Sequence, residues 1–412
     1  MKYGCIGEHL THSFSKEIHK KLGNNDYIIR EIQRTELTEF IKSKEYSGLN
    51  VTIPYKEAVI PFLDYIDESA ERIGAVNTVV NENGKLKGYN TDFSGMISLI
   101  KKMNLDLKDK NVLILGTGGT SKTAFAVADY LGAKKITKVS RKNQENTVTY
   151  SEAAENFRDT QIIINTTPCG MFPKNSDIPI DISHFPKLSG VIDAVYNPIR
   201  SRLCLEASKR GLKSEGGLYM LVAQAAFASE KFLNTNYDFK QTDKVYREVL
   251  REKENIVLIG MPGCGKTTIG KILADKLNFE FIDTDAEIER IYKKSPKEII
   301  ENDGIEAFRK AESEIIKDIS AKNSCVISTG GGAVLNEENI INLKQNGKIF
   351  FIDRNISEIV PTADRPLSSN SDALKKLYDE RIEIYLASKD IKIDNNRNID
   401  FAVNSVLDNL KD

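Results

Sequence analysis

Two glycine-rich loops constrain the fold of this chain more than any other feature of it. The first reads Gly-Thr-Gly-Gly-Thr-Ser-Lys at residues 116–122, and the second reads Gly-Met-Pro-Gly-Cys-Gly-Lys-Thr-Thr at residues 260–268. Each loop follows a strand-like apolar run and precedes a helix-like stretch, which is the context in which such loops cradle phosphates. We therefore predict an α/β protein with two nucleotide sites.

The bulk composition indicates a globular chain that acts on small molecules. Its 412 residues carry 58 basic and 59 acidic side chains, and this balance argues against nucleic acid or an acidic membrane as a partner. Its five cysteines follow no disulfide or zinc spacing, as is usual in a reducing compartment. No apolar run approaches the ~20 residues that span a bilayer, and a strand-like run starts at residue 3 without a signal peptide. We predict a cytoplasmic protein.

Apolar periodicity divides the chain into three α/β segments. Residues 1–102 alternate short β-branched runs with polar helical stretches, and residues 103–214 contain continuous apolar strands typical of a parallel sheet covered on both faces. Helical patterns follow within residues 215–252, and a third α/β segment covers residues 254–412. The boundary near Lys253 has no Pro-, Gly- or Ser-rich linker. A chain of this length is expected to form two or three domains.

The first loop favours a dinucleotide that carries an extra phosphate. Gly116 and Gly118 permit the tight turn and a close approach to a pyrophosphate, although Ser121 stands where a third glycine is usual. About 20 residues further on, where NAD enzymes usually place an acid, this chain has Ser140 and Arg141. A guanidinium group pairs well with a 2′-phosphate, so we predict NADP(H) rather than NAD. A glycine-rich turn without a ligand is the alternative.

Polar motifs surround the first loop along residues 1–252. The motifs are His12-Ser13-Phe14-Ser15, Asn50-Val51-Thr52-Ile53-Pro54-Tyr55-Lys56, Gly74-Ala75-Val76-Asn77-Thr78, Asn90-Thr91-Asp92, Asn165-Thr166-Thr167-Pro168, Asp193-x-x-Tyr196-Asn197-Pro198 and Gly217-x-x-Met220-Leu221-x-x-Gln224-Ala225. At these residues the chain resembles shikimate dehydrogenases, in the order in which that family carries them.

The resemblance implies a substrate-binding domain over residues 1–102, completed by helices within 215–252, and a Rossmann-like domain over residues 103–214. It implies that Ser13 and Ser15 bind a carboxylate, with Tyr196 nearby. Lys56 and Asp92 would be catalytic, because such a pair can stabilise charge on a ketone oxygen and relay a proton. The other implied contacts are those of Thr52, Asn77 and Gln224 to the substrate, and those of Gly116, Gly118, Gly119, Ser140, Arg141, Thr166, Gly217 and Met220 to the cofactor.

The second loop matches the complete P-loop pattern. In such loops backbone N–H groups hold the phosphates, the lysine (here Lys266) neutralises them, and the hydroxyl that follows (here Thr267) binds Mg²⁺. By itself the pattern leaves a kinase, a GTPase and an ATPase open. The loop residues predicted to contact ATP are Gly263, Cys264, Gly265, Lys266, Thr267 and Thr268.

A second succession of motifs follows within residues 254–412. These are Asp283-Thr284-Asp285, Phe308-Arg309, Gly330-Gly331-Gly332, Asp364-Arg365-Pro366-Leu367 and Arg381-x-x-x-Tyr385. Through these motifs the segment resembles shikimate kinases. The resemblance implies that Asp285 binds the acceptor hydroxyl and acts as its base, and that Asp283 helps to place the metal. The other implied contacts are those of Arg309, Arg381, Gly331 and Gly332 to the acceptor, of Arg365 to the transferring phosphoryl group and of Arg397 to the adenine side.

Together the two halves predict a bifunctional enzyme with small-molecule substrates. The first half would reduce 3-dehydroshikimate to shikimate with NADPH, and the second would phosphorylate shikimate with ATP and Mg²⁺, towards chorismate and the aromatic amino acids. Two alternatives stay open. The first half could act on quinate with NAD, or one half could be a degenerate binding module that regulates the other.

Overall fold

The computed structural model describes residues 2–8, 10, 14–142, 144–360 and 370–410. Its contacts divide the chain into two compact units, Met1–Leu250 and Arg251–Asp412. No helix among the described residues is long and apolar enough to cross a membrane.

The first unit contains a mixed sheet of six strands in the order β2-β1-β3-β5-β6-β4. β1 is parallel to β2 and β3, β5 is antiparallel to β3 and β6, and β4 is parallel to β6. The strands are β1 (Tyr3–Gly7), β2 (Tyr27–Glu31), β3 (Gly48–Val51), β4 (Tyr65–Ile66), β5 (Thr78–Glu82) and β6 (Lys85–Tyr89).

A second sheet in the same unit has six strands, all parallel, in the order β12-β11-β10-β7-β8-β9. Alternate residues of its central strands are buried on opposite faces: Ile162 and Ile164 face one core, and Ile163 the other. This double burial explains the continuous apolar runs. The strands are β7 (Asn111–Leu115), β8 (Lys135–Ser140), β9 (Thr147–Thr149), β10 (Ile162–Asn165), β11 (Gly190–Asp193) and β12 (Lys213–Glu215).

The helices of the first unit cover these sheets, and α4 packs along α8 in one shared apolar core. Several helices begin at a polar cap: Asn90 accepts a hydrogen bond from the Phe93 N–H and so places the next residues at the start of α4. The helices are α1 (Ser15–Lys21), α2 (Leu37–Ser43), α3 (Glu68–Ile73), α4 (Thr91–Lys102), α5 (Gly119–Tyr130), α6 (Tyr150–Asn156), α7 (Arg202–Lys209), α8 (Leu218–Leu233) and α9 (Phe239–Lys253).

The second unit is built on a parallel sheet in the order β14-β15-β13-β16-β17. Its central strand β13 is completely buried and leads into the P-loop. The strands are β13 (Asn255–Ile259), β14 (Glu280–Asp283), β15 (Cys325–Ser328), β16 (Gly347–Asp353) and β17 (Ile391–Asp394). The helices are α10 (Lys266–Leu277), α11 (Thr284–Tyr292), α12 (Pro296–Asp303), α13 (Ile305–Ser320), α14 (Glu337–Asn346), α15 (Ser371–Ser388) and α16 (Ile399–Asp408).

The α/β class and the parallel sheets confirm the sequence prediction of the fold class. One helix starts later than its spacing suggests, because residue 215 ends β12 and α8 begins only at Leu218. Two glycines intervene, and their packing explains the shift. A side-chain carbon on Gly216 would lie 2.4 Å from the Ile199 carbonyl oxygen, and one on Gly217 would lie 2.3 Å from that of Ala194.

Candidate active sites

The first unit brings a lysine and a carboxylate together in a pocket. Lys56 follows β3, Asp92 lies in the first turn of α4, and Lys56 Nζ donates a hydrogen bond of 2.6 Å to Asp92 Oδ2. Their side chains are only 16% and 12% exposed, so water screens the pair weakly. The pair therefore offers both a cation and a proton relay at the pocket wall.

Neutral polar side chains line the pocket wall next to the Lys56–Asp92 pair. Asn77 Oδ1 accepts a hydrogen bond of 2.7 Å from the Thr91 N–H, and Asn77 Nδ2 donates to Thr91 Oγ1 at 3.0 Å. Thr91 Oγ1 lies 3.4 Å from Gln224 Oε1. These buried amides are held in fixed orientations and suit a ligand that carries several hydroxyl groups.

A second layer of hydrogen bonds supports this wall from inside the fold. Tyr27 donates to Asn50 Oδ1 at 2.8 Å, and Asn50 Nδ2 donates to Thr78 Oγ1 at 3.1 Å. The Tyr27 ring stacks on His19 with ring centroids 3.8 Å apart. Burial lowers the pKa of His19 to about 3, so this imidazole is neutral at physiological pH.

The first glycine loop is open where a phosphate would lie. A side-chain carbon on Gly118 would meet nothing within 4 Å, and one on Gly119 would meet only Lys56 Cδ, at 3.9 Å. No side chain caps the N-terminus of the 12-residue helix α5, so its positive end faces this space. Gly116 has φ +110°, and a side chain there would also contact Thr166 Oγ1 at 2.9 Å. The loop therefore fits a dinucleotide pyrophosphate.

Residues at the end of β8 fit a further phosphate. Ser140 is buried and its Oγ accepts a hydrogen bond from the Lys142 N–H at 3.3 Å. Arg141 is exposed and forms no ion pair within the described part of the chain. Its guanidinium group is therefore available to an anion at the edge of the loop.

Most of the residues predicted for the first site meet in one pocket. Ser13 lies outside the described residues, and the pocket lining does not include Gly116, Gly118, Gly119, Ser140 or Arg141, which lie along the glycine loop and β8. The predicted residues that line the pocket are Ser15, Thr52, Lys56, Asn77, Asp92, Thr166, Tyr196, Gly217, Met220 and Gln224.

In the second unit the P-loop wraps around its own lysine. Lys266 Nζ is buried and donates to the carbonyl oxygens of Gly260 and Met261, both at 2.9 Å. Gly263 and Gly265 have φ +81° and +103°, which glycine adopts without strain. Cys264 is completely buried in the loop, and Thr268 is an exposed residue of α10. The loop thus places an ammonium group at the N-terminus of a helix, an arrangement that fits a triphosphate.

Hard oxygen ligands lie next to this loop. Thr267 Oγ1 donates to Asp283 Oδ2 at 2.9 Å and lies 3.5 Å from Ser328 Oγ. One carboxylate with hydroxyl groups, completed by phosphate oxygens and water, is the ligand set that Mg²⁺ takes in nucleotide sites. Thr267 and Asp283 therefore fit the predicted metal.

The residues predicted to bind the acceptor in the second site lie around three consecutive glycines, residues 330–332. A side-chain carbon on Gly330 would lie 2.9 Å from Asp285 Oδ1, and one on Gly332 would lie 2.1 Å from Arg309 Nη2. Arg381 Nη1 donates to the carbonyl oxygen of Gly331 at 3.1 Å. Gly331 itself packs against Pro262 of the P-loop. A carboxylate and two guanidinium groups thus surround one short segment beside the phosphate loop.

Two further residues are predicted for the second site. Arg365 falls outside the described residues. Arg397 is exposed and stacks on Phe401, with its guanidinium carbon 4.4 Å from the ring centroid. Asn395, two residues before it, donates to the Cys264 carbonyl at 2.8 Å, which holds the P-loop against the end of β17.

Comparison with known proteins assigns both units. Residues 5–79 match the family model of the shikimate dehydrogenase substrate binding domain, and residues 262–411 match that of shikimate kinase. A shikimate dehydrogenase (NADP(+)) of Clostridium beijerinckii is 39% identical over 264 residues, which cover 59% of this chain and 96% of that protein. The chain belongs to the shikimate dehydrogenase family. Its second unit carries a shikimate kinase domain.

Solved structures agree with the assignment of the shikimate dehydrogenase unit. A chorismate mutase/shikimate 5-dehydrogenase fusion protein from Clostridium acetobutylicum is 34% identical, with a TM-score of 0.57 over 60% of this chain and 96% of that one. The Thermus thermophilus shikimate 5-dehydrogenase, solved with NADP(H) and shikimate, is 28% identical with a TM-score of 0.54, over 60% and 99%. A quinate dehydrogenase from Corynebacterium glutamicum, solved with NAD, is 26% identical with a TM-score of 0.53, over 60% and 99%.

Sequence reasoning missed residues that reach the sites of this shikimate dehydrogenase and kinase. Asn50 lines the first pocket, and its position in the Asn-Val-Thr-Ile-Pro motif was an available signal. Glu312 is completely buried, pairs with Arg309 at 2.6 Å and faces the same glycine segment as Asp285. Burial raises the pKa of Glu312, against the opposing effect of Arg309. The signal for Glu312 was an acid three residues after the arginine on one helix.

Proposed function

We propose that this chain is a bifunctional enzyme of the shikimate pathway. Its first unit reduces 3-dehydroshikimate to shikimate with NADPH, and its second unit phosphorylates shikimate on the 3-hydroxyl with ATP and Mg²⁺. The observation that carries the proposal is that both sets of reactive groups converge: Lys56 pairs with Asp92 in one pocket, and Asp285 and two arginines surround one glycine segment beside the P-loop.

In the first reaction the pocket residues stabilise charge and supply a proton. NADPH, when bound, supplies a hydride to the ketone carbon. As negative charge builds on the ketone oxygen, the Lys56 ammonium stabilises it and gives it a proton, while Asp92 keeps the ammonium in place. Asn77 and Gln224, whose amides are fixed by Thr91, orient the ring hydroxyls.

In the second reaction the protein positions the acceptor and neutralises charge. ATP supplies the phosphoryl group, and Asp285 accepts the proton of the attacking hydroxyl. Arg309 and Arg381 hold the acceptor's carboxylate, since planar guanidinium groups pair with a carboxylate through two hydrogen bonds. Lys266 and the helix N-terminus neutralise the phosphates, and Thr267 and Asp283 hold Mg²⁺.

We infer NADP(H) for this chain from Arg141. It is exposed at the end of β8, and no acid follows where an NAD enzyme would bind the ribose hydroxyls. Quinate with NAD is the competing pair of ligands. The subdivision of the first unit at residues 102 and 214, the roles of Ser13, Arg365 and Arg397, and a cytoplasmic location stay predictions.

Separate inactivation of the two units tests this function. Lys56→Ala should slow the turnover of the dehydrogenase at saturating substrate by at least ~100-fold, because one group serves as both charge stabiliser and proton donor. It should leave shikimate phosphorylation unchanged. Lys266→Ala should have the opposite effect.

The chain offers a matched control for the first change. Lys102 pairs with Asp243 at 2.9 Å, with side chains 23% and 15% exposed, and it does not line the pocket. Lys102→Ala should therefore leave both activities close to those of the unmodified protein. Loss of both activities from either active-site change, or equal losses from Lys56→Ala and Lys102→Ala, would contradict the assignment.

A further inference from the structure

Asp193 belongs to a motif to which the proposed reactions give no role. It ends β11, it is completely buried, and its carboxylate accepts three hydrogen bonds. Oδ1 accepts from Asn165 Nδ2 at 2.9 Å and from the Val195 N–H at 3.0 Å, and Oδ2 accepts from Ser201 Oγ at 2.5 Å. One side chain thus ties together three stretches of backbone.

The hydrogen bond between Asn165 and Asp193 determines the shape of the loop after β10. Asn165 Oδ1 accepts hydrogen bonds from the N–H of Thr167 at 3.0 Å and from its hydroxyl at 2.7 Å. Thr166, Thr167 and Pro168 all line the pocket that holds the Lys56–Asp92 pair. Because Asp193 fixes the orientation of the Asn165 amide, it fixes where this loop meets the pocket.

The hydrogen bonds from Val195 and Ser201 to Asp193 position the segment after β11. Ala194, Val195 and Tyr196 line the same pocket, and the bond from the Val195 N–H to Asp193 Oδ1 turns the chain there. Ser201, held by Oδ2, also accepts from the Cys204 N–H at the start of α7 and so anchors the far end of the segment. Both loops that form this side of the pocket therefore depend on one carboxylate.

An ionised carboxylate at this buried position lowers the stability of the fold. No Lys or Arg forms an ion pair with Asp193 anywhere in the described ranges, and burial raises its pKa to about 6 because the cost of desolvation exceeds the gain from the three donors. Since the native state favours the neutral carboxyl, the unfolding free energy falls as the pH rises from about 4 to 6 and stays lowered above that range. A neutral side chain of the same size would avoid this cost.

Resting on the proposed dehydrogenase function, we propose that Asp193 is a positioning residue that aligns the two loops 165–168 and 194–196 against substrate and cofactor. The geometry of the Ser201 contact favours an ionised carboxylate over an amide at this position. An O–H···O⁻ hydrogen bond tolerates the 2.5 Å contact with Ser201, whereas an amide N–H···O bond needs about 2.7–3.2 Å. An amide at this position must therefore displace Ser201 and the segment that it anchors.

The test compares Asp193→Asn with Asp243→Asn in the full-length chain. Asp193→Asn should raise both the KM for the ketone substrate and the Kd for NADPH, measured by fluorescence titration, by about tenfold or more, because small misplacements of lining groups are costly. Its unfolding temperature at pH 8 should not fall, because removal of the buried charge offsets the hydrogen bond to Ser201 that the amide loses. Asp243→Asn removes a pocket-remote partner of Lys102, so it should lower the unfolding temperature and leave both constants unchanged.

Each outcome decides the question. Unchanged constants in Asp193→Asn overturn the proposal, and a fall in unfolding temperature together with activity would assign Asp193 a structural role instead. Kinase activity of the same chain reports whether the second unit is intact. If the unmodified protein binds NADPH but does not reduce 3-dehydroshikimate, the proposed function fails, and the Kd for NADPH still tests Asp193.

Discussion

Gly332→Ala should weaken acceptor binding in the kinase unit while the backbone keeps its conformation. Gly332 has φ −104°, which alanine adopts without strain. The added carbon would lie 2.1 Å from Nη2, 2.4 Å from Nη1 and 2.5 Å from Cζ of Arg309. Because the clash involves the flexible end of a long side chain, the guanidinium group will move and the backbone will stay.

The size of the effect follows from this displacement. Carbon and nitrogen atoms in contact lie about 3.5 Å apart, so the guanidinium group must move by roughly 1 Å or more. A hydrogen bond to a charged group contributes about 1.5–3 kcal/mol, which corresponds to roughly a 10- to 150-fold change in affinity. We expect the KM for shikimate to rise within this range. The KM for ATP should stay unchanged, because the contacts of Arg309 in the described part of the chain are with Glu312, Phe308 and Gly332 and not with the P-loop.

The assay is release of ADP, quantified by chromatography at varied shikimate and at varied ATP. Dehydrogenase activity measured on the same sample is the internal control. Arg309→Lys should give a change of similar size, since it removes the forked geometry but keeps the charge. A KM for shikimate in Gly332→Ala equal to that of the unmodified protein would refute the placement of Arg309 at the acceptor.

Three further predictions rest on single groups. The pKa of His19 is lowered from 6.5 to about 3 by burial, so the unfolded chain binds more protons at this residue below pH 6.5, and going from pH 7 to pH 5 should remove roughly 2 kcal/mol of stability through His19 alone. The opposite titration of Asp193 offsets part of this loss, so the contribution of His19 is measured as the difference in pH dependence between the unmodified protein and His19→Gln in urea unfolding; equal pH dependence in the two proteins would contradict it. Asp283→Asn should raise the Mg²⁺ concentration needed for half-maximal kinase activity about tenfold or more, because it removes the charged metal ligand; an unchanged Mg²⁺ requirement speaks against the site. Arg141→Ala should raise the KM for NADPH about tenfold and leave that for NADH unchanged, because the loss is confined to the 2′-phosphate; parallel changes for both cofactors would argue against this role.

The sequence was most informative where a motif keeps its chemistry within a few residues. The P-loop could be placed completely, since Gly263, Lys266 and Thr267 act through local backbone geometry. The Lys56–Asp92 pair was predicted by resemblance, but its 2.6 Å contact joins residues 36 positions apart and depends on how β3 and α4 pack.

Other features depend on packing that no local pattern specifies. The hydrogen bond from Tyr27 to Asn50 joins two strands that are not neighbours in the sheet, and the burial of Glu312 depends on where the glycine segment lies. The hairpin between β5 and β6 was missed although its signal is local. Asn83 and Gly84 have φ +53° and +83°, as in the two-residue Asn-Gly turns that favour hairpins.

The central claim is that the product of one unit is the substrate of the other. Incubation of the full chain with 3-dehydroshikimate, NADPH, ATP and Mg²⁺ tests it directly, with products separated by chromatography and identified by mass. We predict one equivalent each of NADP⁺ and ADP per molecule of shikimate 3-phosphate formed. Shikimate that accumulates without its phosphate would contradict the kinase assignment, and 3-dehydroshikimate left unreduced would contradict that of the dehydrogenase.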